Sequence, residues 1–137
     1  MWWIYALLSA FFAALTAIFA KVGIQGVDSD LATAIRTAII LIIAWGIALF
    51  KGSAENMGSL NKINWIFLVL SGCATGLSWI FYFKALQLGQ VSQVAPVDKL
   101  SVALAIILSV VFLKEPLTLK SAGGALLIIS GTLVLIF

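Results

Sequence analysis

The chain contains no histidine, a single cysteine and few charged residues. Only 9% of its 137 residues are charged, whereas charged residues make up about a quarter of a typical soluble domain. Without histidine, the common Cys/His zinc sites and the Ser-His-Asp or Cys-His pairs of hydrolases cannot form, and Cys73 alone cannot make an internal disulfide. A Walker A loop for ATP is also absent. These absences argue against an enzyme, and we expect no cofactor and no metal site.

Apolar residues are what the chain has in abundance. They make up 64% of the sequence, which is more than a soluble globule of this size can bury. The net charge of +3 is small, and the charged residues lie mostly at the ends of apolar segments. This placement is typical of anchoring in a lipid bilayer and not of a nucleic-acid surface. We therefore predict an integral membrane protein.

Five apolar segments are long enough to cross a bilayer, which takes roughly 20 residues for about 30 Å of hydrocarbon. Stretches containing Lys with Gly, Asn, Asp or Pro separate them. The predicted fold is all-α, a single transmembrane domain over residues 1–137 with spans at about 2–20, 31–50, 65–83, 94–113 and 119–137. Gly72 and Gly76 form a GxxxG pair and are expected at a helix–helix contact. The short loops fit the inner (cytoplasmic) membrane of a prokaryote.

Two adjacent charges, Asp98 and Lys99, lie inside the fourth apolar segment. The purely apolar part of that segment, residues 100–113, is too short to span, so the helix must begin earlier and include both charges. Lys99 can extend its side chain back to the headgroups, but Asp98 cannot. Asp98 is therefore expected to face the protein interior, on a small and polar stripe with Ser101, Ala105 and Ser109.

Arg36 is a possible partner for Asp98. Because successive spans alternate in direction, the second and fourth begin on the same side of the membrane, and Arg36 lies roughly 9 Å into the second span. A functional interpretation is a polar cluster lining a substrate pathway, in which Asp98 could exchange protons. The other interpretation is a structural ion pair with Lys99 reaching to the surface, and the sequence leaves both open. Our candidate substrate-binding residues are Arg36, Asp98, Lys99, Ser101, Trp79 and Tyr82.

The positive charges of the loops give a nearly balanced topology. Lys51, Lys62, Lys114 and Lys120 lie on the side of the N-terminus, and Lys21 and Lys84 lie on the other side with Arg36 and Lys99 nearby. Such a balance is typical of a chain inserted in both orientations. Five spans are also few to enclose a pathway. We therefore expect a homodimer, antiparallel rather than parallel.

The second half of the chain resembles a known family. The stretch from Ala85 to Ile136 begins "ALQLGQVSQVAPVDKLS", continues through the turn "FLKEPLT", and ends in a helix containing Gly123, Gly124 and Gly131. It resembles the closing half of an EamA-like repeat of the drug/metabolite transporter superfamily, and Arg36 is similar to an arginine that this family carries early in its second helix. The resemblance implies an inverted pair of repeats that exports amino acids, metabolites or drugs. One repeat per chain would then imply an antiparallel dimer.

Two functions of different classes follow from these observations. The first is a secondary transporter of a small metabolite or drug-like molecule, working by alternating access. The second is a non-transporting membrane partner or assembly subunit, in which the charges only fix the register of the helices.

The sequence also predicts a helix cap: Thr118 is placed to cap the last helix.

Overall fold

Every regular element of the chain is helical. A computed structural model describes residues 1–137 and contains no β-strand. The helices are α1 (Trp2–Gly23), α2 (Ser29–Phe50), α3 (Lys62–Leu88), α4 (Val91–Asp98), α5 (Leu100–Phe112) and α6 (Leu119–Ile136), with a short 3₁₀ helix over Ser53–Ser59. Because α4 and α5 together form one apolar stretch, the chain has five helical segments long and apolar enough to cross a membrane. The prediction of an all-α protein with five spans is confirmed.

The helices extend beyond the predicted spans at five of the ten ends. The largest difference is at α3, predicted over residues 65–83 and observed over Lys62–Leu88. The stretch "KALQLGQVSQ" was expected to be a loop, but only Gly89 and Gln90 separate α3 from α4. The expectation failed because Lys84 and Gln87 are good helix formers, and their polarity was given more weight than their helix propensity.

Side-chain caps fix the beginnings of two helices. Asp28 precedes α2, and its Oδ1 accepts hydrogen bonds from the backbone N–H groups of Asp30 and Leu31. Thr118 precedes α6, and its hydroxyl oxygen accepts from the N–H of Ser121 while the Ser121 hydroxyl accepts from the N–H of Thr118. The predicted cap at Thr118 is confirmed. Both caps satisfy amide groups that a helix leaves without partners.

Residues Ala20–Gln87 form one compact unit. It holds the end of α1, all of α2, the 3₁₀ helix and nearly all of α3. Its buried residues lie toward one end of these helices: Ile24, Ser29, Thr33, Phe83 and Leu86. Turns at Gly26 and Gly52 have φ of +72° and +69°, a backbone conformation that glycine adopts without strain. Packing in this unit is therefore concentrated where the α1–α2 connection meets the end of α3.

Residues Met1–Phe19 and Leu88–Phe137 form the second unit. Within it, α4 and α5 both pack against α6. Its buried residues are all small: Ala17, Ala103 and Thr132. Small side chains let membrane helices approach closely, so this packing follows the usual pattern for helices in lipid.

Most of the apolar surface has no partner inside the chain. In each of the five apolar stretches only 6% of the residues are buried. A Cβ added at Gly72 or Gly76 would meet no atom of another helix within 4 Å, so there is open space beside the GxxxG pair of α3. In a bilayer, lipid or a second membrane protein must cover these faces.

Candidate functional site

Arg36 lies on the same face of α2 as the buried Ser29 and Thr33. Two hydroxyl groups on this part of the helix donate back to the helix itself, from Thr33 to the Ser29 carbonyl at 2.8 Å and from Thr37 to the Thr33 carbonyl at 2.7 Å. Their donors are therefore already used. Arg36 is half-buried and is the single charged residue between residues 31 and 50.

An aromatic cluster on α3 receives the Arg36 side chain. The guanidinium carbon lies 3.4 Å from the centre of the Trp79 ring and 5.4 Å from the centre of the Phe83 ring. Trp79 in turn meets the Tyr82 ring edge-on and the Phe83 ring at a tilt, with ring centres 5.6 Å apart in both pairs. Phe83 is only 1% exposed and anchors the cluster. We name Arg36, Trp79, Tyr82 and Phe83 the arginine–aromatic cluster.

The aromatic contact offsets only part of the cost of a charge inside a membrane. A charged arginine at the centre of a membrane helix costs about 2.5–3.5 kcal/mol on the insertion scale. A cation–π contact returns about 0.5–1 kcal/mol when exposed and about 2 kcal/mol when desolvated. Within residues 20–87 no carboxylate pairs with Arg36, because the nearest acid along the helix is Asp30, and Asp28 caps α2. The cluster thus holds a positive charge that this unit leaves uncompensated.

Asp98 and Lys99 lie in the other unit, at an interruption of the fourth apolar stretch. The Lys99 Nζ is 3.2 Å from the Asp98 Oδ2, and the two side chains are 57% and 35% exposed, respectively. The ion pair is therefore formed between neighbours in the sequence and is largely open. The predicted pairing of Asp98 with Arg36 stays a prediction.

Pro96 lies close to the interruption between α4 and α5. The helix α4 begins at Val91, so Pro96 lies inside it and not in its first turn. Here proline leaves the Ser92 carbonyl without its helical donor. The Lys99 N–H then bonds to the carbonyls of both Ala95 and Pro96, and the helix restarts at Leu100.

A hydroxyl group on α6 contacts the same interruption. The buried Thr132 donates to the Pro96 carbonyl at 3.2 Å, sharing its proton with the Ile128 carbonyl of its own helix at 2.8 Å.

The small and polar stripe predicted on the fourth span is only partly buried. Ser101 and Ala105 are exposed, and the buried position of α5 is Ala103. The candidate residue Ser101 therefore has no partner in the helix packing of its unit.

A polar latch joins the α1–α2 connection to the end of α3. The Lys21 ammonium donates to the Leu86 carbonyl, and the Gln87 amide donates to the carbonyls of Val27 at 2.6 Å and Ile24 at 3.4 Å. These groups border a cavity of about 350 Å³. Sequence reasoning missed the latch because Lys21 and Gln87 were read as loop residues, and only their contacts across more than sixty positions reveal the role.

A larger apolar cavity of about 620 Å³ lies where the 3₁₀ helix folds against the end of α2 and the start of α3. It is lined by Ala44, Trp45, Ala48, Ser53, Ala54, Asn56, Met57, Leu60 and Leu68. No ionisable side chain lines it. The cavity is open and lies at a helix end, and both features are typical of a groove that lipid covers.

Of the six predicted site residues, the structure brings Arg36, Trp79 and Tyr82 together in one unit and Asp98 and Lys99 together in the other. Phe83 and Thr132 were not predicted. Phe83 could have been found from its spacing, since it follows Trp79 by one helical turn. No sequence pattern identifies Thr132, because its hydroxyl bonds to the Pro96 carbonyl of a different helix.

Comparison with known proteins gave two matches. The family described as "EamA-like transporter family" matches residues 1–137. A protein from Sinorhizobium sp, described as "Uncharacterized transporter in cobO 3'region", is 48% identical over 134 residues, which cover 98% of this chain and 95% of that protein. No solved structure matches significantly. The sequence match extends over both compact units.

Proposed function

Because the chain belongs to the EamA-like transporter family, we propose that it is a secondary transporter which moves a small metabolite or drug-like molecule by alternating access in a homodimer. Membership in this family favours transport over catalysis. Inverted-repeat transporters bind their solute near the midplane of the membrane, where the repeats meet. A chain with one set of five spans would supply each repeat as a separate copy.

The observation that carries this proposal is the arginine–aromatic cluster. An ionisable residue inside an apolar span is costly and marks a functional site by default. Arg36 is not neutralised within its own unit, yet it is held firmly against Trp79. A purely structural arginine would be expected to have a carboxylate partner there. Asp98 and Lys99 are the second candidate pair, placed at a helix interruption of the kind that transporters use near their binding sites.

An antiparallel arrangement of the two copies is supported by charge and by exposure. When Arg36 and Lys99 are counted with the loop lysines, each side of the membrane has four positive charges, so neither orientation is strongly preferred. The exposed GxxxG face of α3 offers a surface on which a second copy could pack closely. These features support a dimer of opposed copies in the inner membrane of a prokaryote.

The orientation can be tested by labelling single cysteines from one side of intact cells. Cys73 is exposed and is first replaced by serine, and cysteines are then placed at Ser53 and Gln90, at the two ends of α3. Labelling of both positions by an impermeant thiol reagent, in separate variants, is expected for a chain inserted in both directions. Labelling at only one position would contradict the antiparallel homodimer.

Transport can be tested with purified protein in liposomes and a panel of amino acids, carboxylates, sugars and organic cations. The variants Arg36→Ala and Asp98→Asn are compared with Lys51→Ala, which removes a charge from the C-cap position of α2 and leaves the clusters intact. Loss of solute movement in Arg36→Ala with an unchanged dimer supports the proposal. Loss of the dimer in both variants would instead indicate the non-transporting assembly subunit.

A further inference from the structure

The arginine–aromatic cluster leaves its hydrogen-bond donors available. Within residues 20–87, no oxygen accepts a hydrogen bond from the Arg36 guanidinium, which lies over the rings of Trp79 and Phe83. Arg36 is half-buried, and none of its side-chain nitrogens is fully buried without a partner, so part of the guanidinium is exposed. The cluster is therefore a charged group that is fixed in place and accessible.

The stacking geometry determines which part of the guanidinium remains free. At 3.4 Å from the ring centre, Trp79 covers one face of the planar group. The five N–H donors of arginine point outward in the plane of the group, so stacking on a face does not use them. Two parallel donors on one edge match the two oxygens of a carboxylate or a phosphate. A single lysine ammonium would provide the same charge without this match.

We propose that Arg36, held flat against Trp79, binds the carboxylate or phosphate group of an anionic substrate. This inference rests on the proposed transport function and adds the chemical class of the solute. The charge balance favours an anion, because neither α2 from residue 31 to 50 nor α3 from residue 65 to 83 contains an acid. Trp79 and Tyr82 are half-buried and provide an apolar, aromatic wall beside the charge, which suits a substrate with a planar or apolar body.

An anionic headgroup of a phospholipid has the same chemistry as a soluble phosphate. Arg36 lies seven residues after the first residue of α2, or about 10 Å along the helix axis. That distance places the guanidinium below the level of the headgroups when α2 spans the bilayer. A soluble anion entering from water is therefore the occupant that we assign to the site, and a lipid phosphate is the alternative that the experiment must separate.

The test measures the melting temperature of the purified protein in dodecyl maltoside with four probes. Benzoate, benzamide and benzylamine share one ring and differ in charge, and inorganic phosphate is the fourth probe. Arg36→Gln and Arg36→Lys are compared with Lys84→Gln, which removes an exposed cation near the end of α3. Each variant is referred to its own melting temperature without probe, and its helical circular dichroism shows that it is folded.

Benzoate or phosphate is expected to raise the melting temperature of the wild type and of Lys84→Gln, while benzamide and benzylamine do not. Arg36→Gln is expected to weaken the apparent affinity for the anion roughly ten- to a hundredfold, as loss of charged hydrogen bonds does. Arg36→Lys should retain part of it. Equal stabilisation by all three ring compounds, or anion binding unchanged in Arg36→Gln, would overturn the inference.

Two further measurements separate the possible failures. If only phosphatidylglycerol nanodiscs, and not phosphatidylcholine nanodiscs or soluble anions, stabilise the protein through Arg36, the site belongs to a lipid and the substrate assignment is overturned. If liposomes show uptake of a neutral or cationic solute that Arg36→Gln leaves unchanged, the anion inference fails and the transport function stands. If benzoate binds in an Arg36-dependent way but liposomes show uptake of no solute, the anion inference stands and the transport function fails.

Discussion

The two units of the chain each contain charged side chains within an apolar span, and they stabilise them differently. In residues 20–87, Arg36 lies over the rings of Trp79 and Phe83 and has no carboxylate partner in that unit. In the other unit, Asp98 and Lys99 neutralise each other where α4 ends and α5 begins. The first arrangement leaves a net positive charge in its unit, whereas the charges of Asp98 and Lys99 cancel. Of these three charged residues, only Arg36 is thus left without a partner of opposite charge in its own unit.

The largest change in the free energy of unfolding is expected when Phe83, the most buried ring of the arginine–aromatic cluster, is removed. Phe83→Ala deletes a side chain that is only 1% exposed, and we expect it to lower the free energy of unfolding by about 3–5 kcal/mol. Phe81→Ala is the matched control, because Phe81 is 71% exposed and its loss should have a small effect. Chemical unfolding in detergent measures both. Equal losses in the two variants would show that Phe83 does not anchor the cluster.

A smaller effect is expected from the contact between Arg36 and Trp79 itself. A double-mutant cycle with Arg36→Leu and Trp79→Leu should give a coupling free energy of about 1–2 kcal/mol, since the contact is partly desolvated. Thermal unfolding of the four proteins supplies the values. Additive effects of the two substitutions would mean that the guanidinium does not rest on the indole ring.

The hydrogen bond at the helix interruption should contribute less. Thr132→Val keeps the shape of the side chain and removes the donor to the Pro96 carbonyl. We expect a loss of about 0.6 kcal/mol, the average for such bonds between membrane helices. Thr75→Val is the control, because the Thr75 hydroxyl bonds only to the Ser71 carbonyl of its own helix. If Thr75→Val and Thr132→Val are equally destabilised, the contact between α6 and α4 contributes nothing.

The smallest effect is predicted for the ion pair. Asp98→Asn should change the free energy of unfolding by less than about 1 kcal/mol, because the pair is largely exposed and such pairs contribute little. The measured difference between wild type and variant should also be smaller at high salt. A large and salt-independent loss would show that Asp98 has a buried partner, as the predicted pairing with Arg36 requires.

Hydropathy and capping patterns were sufficient to predict the helices. Length and apolar content are local properties, so five spans and the cap at Thr118 follow from short windows of sequence. The extension of α3 to Leu88 and the interruption at Lys99 were not predicted. The first was missed because the polarity of Lys84 and Gln87 was given more weight than their helix propensity. The second is a change of backbone hydrogen bonding at a single residue, Lys99, whose N–H bonds to the carbonyls of both Ala95 and Pro96, and no residue pattern indicates it.

The candidate site was predictable only in its residue types. The rarity of charge in the spans identified Arg36 and Asp98. Which ring receives the guanidinium could not be predicted, because Trp79 lies forty-three positions further along the chain and several other aromatics had equivalent sequence contexts. The burial of Phe83 also depends on packing between helices, which a single sequence does not specify.

The polar latch has a consequence for biosynthesis. The hydrogen bonds of the latch join Lys21, Ile24 and Val27 to Leu86 and Gln87, at the two ends of the unit over residues 20–87. This unit is continuous in sequence, so all of its residues are present once Gln87 has been inserted. The other unit needs residues 1–19 together with the last fifty residues of the chain. Domains that are continuous in sequence can fold while the ribosome is still translating. The arginine–aromatic cluster can therefore assemble before α4, α5 and α6 have been synthesised. The N-terminal part of α1 can pack against its own unit only after these three helices have been inserted.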